Sequence, residues 1–226
     1  MIPLPASLTV KRSRAAERML GDAARAWIES EERAPGIHAS DLLDARQAIY
    51  RKIDPKTLPD RLVNIFLIGK VLHAFVLQTV DGITNVDIKT TDAGSYFSEK
   101  IGITYSPDKI VGGKVRELKT SRSYKAPDTI EDISHYLEQI LVYLASTETR
   151  TAQLWVLYLN LRDESTGKLD PCFRGYDVEI SEGDLAGLIE FCKSQKELIE
   201  KGVNLKDPKV APLCREWLCN RKLCDW

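Results

Sequence analysis

The pair Gly112-Gly113 lies between two short stretches of alternating apolar and charged residues. This arrangement predicts a β-hairpin with a two-residue loop, because both loop residues need positive φ and glycine adopts it without a steric penalty. A two-residue loop also fixes the register. The predicted pairs are Val111 with Lys114, Ile110 with Val115, Lys109 with Arg116, and Asp108 with Glu117. Side chains so paired have Cβ atoms about 4.5–5.5 Å apart, where two carboxylates repel each other.

A divalent cation would explain two opposed carboxylates, since Mg²⁺ is commonly held by one or two carboxylates with waters and substrate phosphates. Alternation along the strand places Lys119 on the same face as Glu117 and turns Leu118 toward the core. An ammonium beside a carboxylate-bound metal can orient a water for attack on phosphorus. The alternative is an ordinary polar hairpin face on which Lys109 and Lys119 balance the acids.

Pro107-Asp108, eight intervening residues and Glu117-Leu118-Lys119 resemble the PD-(D/E)XK signature of the restriction-endonuclease-like nucleases. Three further stretches in matching order make the chain similar to the RecB-like exonuclease branch. That branch includes the CRISPR-associated exonucleases of spacer acquisition and their phage-borne relatives. The resemblance implies that Asp108 and Glu117 hold Mg²⁺ or Mn²⁺ and that Lys119 takes part in catalysis.

Two of these stretches lie on predicted helices. Gly69 to His73 resembles the Gly-x-x-x-His motif of the branch, which implies that His73 contributes an imidazole to the metal; a core histidine is the alternative. Gln139 and Tyr143 resemble the Gln-x-x-x-Tyr motif, and the resemblance implies that this pair lies near the active site and the DNA backbone. The periodicity around them predicts a helix that begins at Asp128 or Thr129.

The third stretch is a predicted helix that Ser40 caps and that continues to Arg51. It resembles the opening motif of the family, in which Asp44 takes the place of a cysteine that binds an iron–sulfur cluster. The resemblance implies a structural 4Fe–4S cluster held by Asp44 and three tail cysteines, with a zinc site or free thiols as alternatives. Those cysteines recur every five residues: Cys214, Cys219 and Cys224.

The segment that follows the hairpin is polar and basic, with one aromatic residue. Arg122 and Lys125 suit contact with phosphates, and a base or sugar can pack on Tyr124. A surface loop without a ligand is the alternative.

The composition is that of an ordinary globular protein: 226 residues, 43% apolar and 29% charged. A formal net charge of −1 gives no overall electrostatic reason to expect nucleic-acid binding, which must therefore depend on local clusters. Five cysteines, an odd number crowded toward one end, disfavour a disulfide framework. Without a long apolar run or a signal peptide, the protein is expected to be cytoplasmic and free of membranes.

Periodicity predicts a single α/β domain over residues 1–226, and the resemblance implies a restriction-endonuclease-like mixed sheet flanked by helices. Residues 1–82 form the helical N-terminal part, residues 83–181 the catalytic core, and residues 182–226 a C-terminal helix and cysteine-rich tail. Helices are expected at 13–33, after Pro59 and at 184–200, and strands at 152–161 and 173–180.

The opposed acids and Lys119 predict metal-dependent hydrolysis at phosphorus, and the resemblance implies a DNA exonuclease that acts on single-stranded ends. The resemblance implies a role of the CRISPR-adaptation or RecB type, with CRISPR integration proteins or recombination proteins as partners. One alternative is a non-catalytic subunit that binds DNA ends or supports assembly with the same fold. Another is a sequence-specific restriction endonuclease, although no separate recognition domain is evident.

Overall fold

The computed structural model describes residues 14–29, 35–55, 60–80, 95–125, 133–163 and 165–212. The helices in these ranges are α1 (Arg14–Glu29), α2 (Ala45–Ile53), α3 (Asp60–Val80), α4 (Ser134–Thr147) and α5 (Glu182–Leu205). The strands are β1 (Tyr96–Ser98), β2 (Ile103–Tyr105), β3 (Lys109–Val111), β4 (Lys114–Ser121), β5 (Thr151–Tyr158) and β6 (Cys172–Glu179).

The central sheet has four strands in the order β3-β4-β5-β6. The pairs β3/β4 and β5/β6 are antiparallel, whereas β4 and β5 run parallel and are joined through α4, since parallel neighbours need a crossover connection. Strands β1 and β2 form a separate antiparallel hairpin. This mixed sheet with covering helices confirms the predicted α/β class.

The glycine hairpin has the predicted register. Lys109 pairs with Arg116, Ile110 with Val115 and Val111 with Lys114, and the loop glycines have φ of 58° and 76°. The expected fourth pair is absent from the ladder, because Asp108 precedes β3. Hydrogen bonds of its side chain and its backbone N–H, described below, bring Asp108 to Glu117 instead.

The start of α2 differs from the prediction. Ser40 lies in a short 3-10 turn (Ala39–Asp41), and α2 begins only at Ala45. Asp44 is its N-cap, with Oδ1 accepting a hydrogen bond of 3.0 Å from the backbone N–H of Gln47. Two acidic side chains therefore compete with Ser40 for local backbone donors, and Asp41 closes the turn by accepting from the backbone N–H of His38 at 3.0 Å.

The last helix is longer than predicted at both ends. Ser181 caps it by accepting from the backbone N–H of Asp184 at 3.1 Å, and it continues to Leu205. Gly202 is buried where α5 meets α2, and a Cβ there would collide with Ile49 and Val210. The glycine therefore permits close packing of the C-terminal helix against the N-terminal part of the chain.

One apolar core joins the sheet to α2, α4 and α5. Cys192 lies fully buried in it, as predicted, and burial raises the pKa of its thiol to about 11. The predicted starts of two helices, at Pro59 and at Asp128 or Thr129, lie outside the described residues. None of the helices in the described ranges has the length and apolar character required to cross a membrane.

Candidate active site

Two acidic side chains meet at the open end of the hairpin. The backbone N–H of Asp108 donates to Glu117 Oε2 at 3.2 Å, and the backbone N–H of Leu118 donates to Asp108 Oδ2 at 2.6 Å. Each carboxylate is thus held by a backbone N–H near the other acid. Glu117 accepts from Asp108 itself, and Asp108 accepts from Leu118, the residue after Glu117. Glu117 is only 3% exposed, so little solvent screens the pair.

Lys119 is the nearest cation to Glu117. The two side chains share one face of β4, and Lys119 Nζ lies 2.6 Å from Glu117 Oε1. Burial is the largest influence on Glu117 and raises its pKa; the Lys119 ammonium lowers it, and the Asp108 carboxylate raises it further. The charge of this glutamate is therefore incompletely compensated by the chain, which is typical of sites that bind cations or protons.

Helix α4 continues the hydrogen-bonded chain. Lys119 Nζ donates to Gln139 Oε1 at 2.7 Å, Gln139 Nε2 donates to Tyr143 Oη at 2.7 Å, and Tyr143 Oη donates to the carbonyl of Ser106 at 3.0 Å. Gln139 and Tyr143 stand four residues apart and therefore lie on the same side of the helix. Because Ser106 is two residues before Asp108, the chain of hydrogen bonds returns to the acidic pair.

His73 approaches the pair from α3. Its Nδ1 lies 3.2 Å from Asp108 Oδ1, and an ionised carboxylate can only accept, so Nδ1 carries the hydrogen in this arrangement. Among the described residues, no group of three or more His, Cys, Asp or Glu side chains is arranged to hold a metal ion. His73 thus lies against one of the two carboxylates, and its place as a third metal ligand stays a prediction.

The donor chemistry of the acidic pair nevertheless fits Mg²⁺ or Mn²⁺, which prefer hard oxygen ligands. Each of the four carboxylate oxygens of Asp108 and Glu117 accepts one hydrogen bond. A carboxylate oxygen has two lone pairs, so each retains capacity for a further contact. Two carboxylates with waters and phosphate oxygens are sufficient for such an ion.

The predicted DNA-binding residues take no part in these hydrogen bonds and follow the strand that carries Glu117 and Lys119. Arg122, Tyr124 and Lys125 are exposed in the segment that leaves β4, and Tyr124 is 63% exposed. Two participants were missed by sequence reasoning: the carbonyl of Ser106, for which residue type carries no signal, and Arg162, which lies over the Tyr124 ring although it is far away in sequence.

The predicted iron–sulfur ligands are only partly described. Cys214, Cys219 and Cys224 lie outside the described residues. Asp44 is 8% exposed, with Oδ1 engaged as the helix cap, and its Oδ2 is buried without a hydrogen-bond partner among the described residues. Nearby, Arg46 Nε donates to the carbonyl of Ala211 at 2.9 Å, which joins α2 to the end of the described chain.

Comparison with known proteins defines the fold. No protein-family profile matches the chain, and no curated protein matches it. The crystal structure of SSO0001 superposes with a TM-score of 0.52 and 18% identity, over 81% of this chain and 86% of that one. This likeness shows a shared fold.

Two exonuclease structures superpose less closely. The alkaline exonuclease LHK-Exo from Laribacter hongkongensis has a TM-score of 0.37 and 16% identity, over 76% of this chain and 91% of that one. A phage-related exonuclease from Haemophilus somnus 129PT has a TM-score of 0.39 and 11% identity, over 86% of this chain and 84% of that one.

Proposed function

We propose that this protein is a metal-dependent deoxyribonuclease of the PD-(D/E)XK type. The observation that carries the proposal is the continuous set of hydrogen bonds that joins Asp108, Glu117, Lys119, Gln139 and Tyr143. These are five residues that two nuclease motifs select from the sequence, three from the hairpin and two from α4. An ordinary polar hairpin face would give no reason for such a connection with a helix.

Each residue has a separate task in this proposal. Asp108 and Glu117 would hold Mg²⁺ or Mn²⁺, which supplies a water of lowered pKa and neutralises charge on the phosphate. Lys119 positions the attacking water and stabilises negative charge as it develops. Gln139 fixes the ammonium of Lys119 through its Oε1, and Tyr143 fixes the orientation of the Gln139 amide. His73 holds Asp108 in place and is a third ligand if its ring turns.

The proposed substrate is DNA with single-stranded ends, which an exonuclease of the CRISPR-adaptation or RecB type would trim in the cytoplasm. Support comes from the exposed Tyr124 beside Arg122 and Lys125, because stacking on an aromatic ring requires bases that are not already paired. CRISPR integration proteins or recombination proteins are the proposed partners. The whole chain, residues 1–226, is proposed to form one nuclease domain.

A non-catalytic subunit that binds DNA ends is the second candidate. It is favoured by one observation: Lys119 Nζ lies 2.6 Å from Glu117 Oε1, so the lysine already compensates part of the charge that a metal ion would compensate. A protein of this kind would bind DNA ends without any dependence on Mn²⁺.

The proposal includes an iron–sulfur cluster held by Asp44 and the three tail cysteines. Its support is the chemistry of Asp44, a buried carboxylate with one oxygen that lacks a hydrogen-bond partner among the described residues. The contact of Arg46 with Ala211 brings the preceding part of the C-terminal segment to the same helix. Iron analysis of anaerobically purified protein tests this, and protein without iron would remove the cluster.

A cleavage assay with a labelled single-stranded oligonucleotide distinguishes the nuclease from the binding subunit. With Mn²⁺, the unaltered protein should cleave, and Lys119→Met should reduce the rate by about 100-fold or more, since an apolar side chain cannot stabilise charge. Lys114→Met is the matched control, because Lys114 lies on the opposite face of β4 and contacts Asp177. Metal-independent binding without cleavage would reject the nuclease.

A further inference from the structure

An aromatic ring and a guanidinium form an exposed pair beyond the end of β4. Arg162 lies over the ring of Tyr124, with its Cζ 5.7 Å from the ring centroid. The backbone N–H of Arg162 donates to the carbonyl of Tyr124 at 3.2 Å. The two residues are therefore joined by both backbone and side chain although they are far apart in the sequence.

The turn after Arg162 holds the guanidinium in this position. Arg162 Nη1 donates to the carbonyl of Gly167 at 2.8 Å, and Gly167 has a φ of 65°, which favours glycine. Asp163 Oδ1 accepts from the backbone N–H and hydroxyl groups of Ser165 and Thr166, which lower the pKa of Asp163 to about 2. The turn that Asp163 closes therefore holds the Arg162 side chain in place through its contact with Gly167.

This pair follows the ends of β4, which carries Glu117 and Lys119, and of its neighbour β5. The backbone N–H of Leu159 donates to the carbonyl of Ser121 at 2.9 Å, so β4 and β5 remain side by side at this end. Ser121 is two residues beyond Lys119, about 7 Å along the strand. Ligands of open α/β sheets bind outside the carboxyl ends of parallel strands, and Tyr124 and Arg162 both follow such an end.

The charge around the pair suits a phosphate backbone. Arg122, Lys125 and Lys168 are exposed cations in the same two segments as Tyr124 and Arg162. The same segments also carry the carboxylates of Asp163 and Asp170; Asp163 Oδ1 accepts hydrogen bonds from Ser165 and Thr166, which hold this carboxylate within its own turn while it keeps its charge. A single strand of DNA presents both things that this surface can bind, unpaired bases for the ring and phosphates for the cations.

We propose that Tyr124 and Arg162 form a platform that binds single-stranded DNA next to the candidate active site. A nucleobase stacks on the ring face that Arg162 leaves open, and the guanidinium contacts a neighbouring phosphate. This inference deepens the proposed function and rests on it, because it assigns the residues that hold the strand whose end reaches Glu117 and Lys119. It adds Arg162, a residue that no motif in the sequence selects.

The test is the affinity of the full chain for a fluorescent dT15 oligonucleotide, measured by anisotropy without added divalent cation at several salt concentrations. Tyr124→Leu should weaken binding about tenfold with an unchanged salt slope, since base stacking on an aromatic ring is worth about 1–3 kcal/mol. Arg162→Gln should weaken binding and reduce the salt slope by about 0.7, which is the loss of one phosphate contact on a single strand. Tyr124→Phe keeps the ring and should restore the affinity of the unaltered protein.

Arg150→Gln is the matched control. Arg150 is also an exposed arginine, but it precedes β5, whereas Arg162 follows it; eight strand residues place the two about 26 Å apart. Its binding and salt slope should equal those of the unaltered protein. A second probe is a blunt duplex, whose bases are already stacked, so Tyr124→Leu should leave duplex affinity unchanged.

Two results would overturn the platform. In the first, Tyr124→Leu and Arg162→Gln bind dT15 as tightly as Arg150→Gln does. In the second, Tyr124→Leu loses as much affinity for the duplex as for dT15. A protein that fails to cleave any DNA, yet shows the expected pattern of affinities, would reject the nuclease and keep the platform. Cleavage with Mn²⁺ but without that pattern would do the reverse.

Discussion

Two almost fully buried carboxylates, Asp41 and Glu117, are treated in opposite ways by this chain. Asp41 is 1% exposed and Glu117 is 3% exposed. Asp41 accepts from the backbone N–H of His38 and lies 3.2 Å from Arg51 Nη2 and 3.6 Å from Lys52 Nζ. Glu117 has one lysine, one backbone donor and, beside it, a second acid.

The difference separates a structural carboxylate from one that is available for a ligand. Asp41 has two cations for one negative charge, so its burial stabilises the turn before α2. The pair Asp108 and Glu117 has two negative charges with Lys119 as the cation in contact, and His73 adds charge only if protonated. A cation that enters from solvent would complete the compensation, whereas nothing at Asp41 would attract one.

The largest expected effect is on catalysis and would break the comparison directly. Glu117→Gln should reduce Mn²⁺-dependent cleavage by about 1,000-fold or more, or about 4 kcal/mol of barrier, because an amide removes the charge that holds the ion. Asp41→Asn should retain the specific activity of the folded protein. Oligonucleotide cleavage at equal concentrations of folded protein measures both. If Asp41→Asn lost as much activity as Glu117→Gln, the distinction between a structural carboxylate and a ligand-binding one would be wrong.

The next effect is on stability, where Asp41→Asn should be affected more than Glu117→Gln. Asp41→Asn should lower the free energy of unfolding by about 2 kcal/mol, since the ion pairs weaken and the turn loses a charged acceptor. Glu117→Gln should change it by less than about 1 kcal/mol, because the lost contact with Lys119 is offset by relief of a desolvated charge beside Asp108. Urea unfolding followed by circular dichroism measures both variants, and equal losses would contradict the distinction.

Mn²⁺ should stabilise the folded protein, and acid should abolish that effect. A free Mn²⁺ concentration of ten times its Kd should raise the free energy of unfolding by about 1.4 kcal/mol through mass action. Protons compete with the ion for Glu117; because burial raises its pKa, the effect is lost as pH falls through a range above that of an ordinary glutamate. Thermal unfolding with and without Mn²⁺ across pH measures this.

Variants serve as controls for that titration. Asp41→Asn should keep the Mn²⁺-dependent shift in melting temperature, measured relative to its own lower starting value, and Glu117→Gln should lose it. A shift that survives in Glu117→Gln would place the ion elsewhere in the molecule.

The parts of this site that sequence predicts are those fixed by local geometry. The Gly112-Gly113 loop determines the hairpin register, and a spacing of four places Gln139 and Tyr143 on one side of a helix. Their contact with Lys119 depends on how α4 packs against β4, which no local pattern determines. The motif order alone indicated that these elements would meet.

The features that the sequence did not predict also depend on how the elements pack. Ser40 is a good helix cap by residue type, but the choice among Ser40, Asp41 and Asp44 depends on which backbone donors the surrounding packing leaves open. Arg162 reaches Tyr124 only because β4 and β5 are neighbours in the sheet. Tertiary packing, rather than propensity, therefore decides both the cap of α2 and the surface beside the candidate active site.

The smallest expected effect tests whether Tyr143, which does not touch Glu117, helps to hold the Lys119 ammonium that compensates the charge of Glu117. Tyr143→Phe leaves Gln139 Nε2 without its acceptor and the carbonyl of Ser106 without its donor, so the amide is free to rotate and to turn its Nε2 toward Lys119. We expect cleavage to slow about tenfold and unfolding to become easier by about 1 kcal/mol. Tyr105→Phe is the control, because that ring lies 6.5 Å from the Tyr143 ring but takes no part in the hydrogen bonds that join Lys119, Gln139, Tyr143 and Ser106. Equal rates for the two variants would remove Tyr143 from the mechanism.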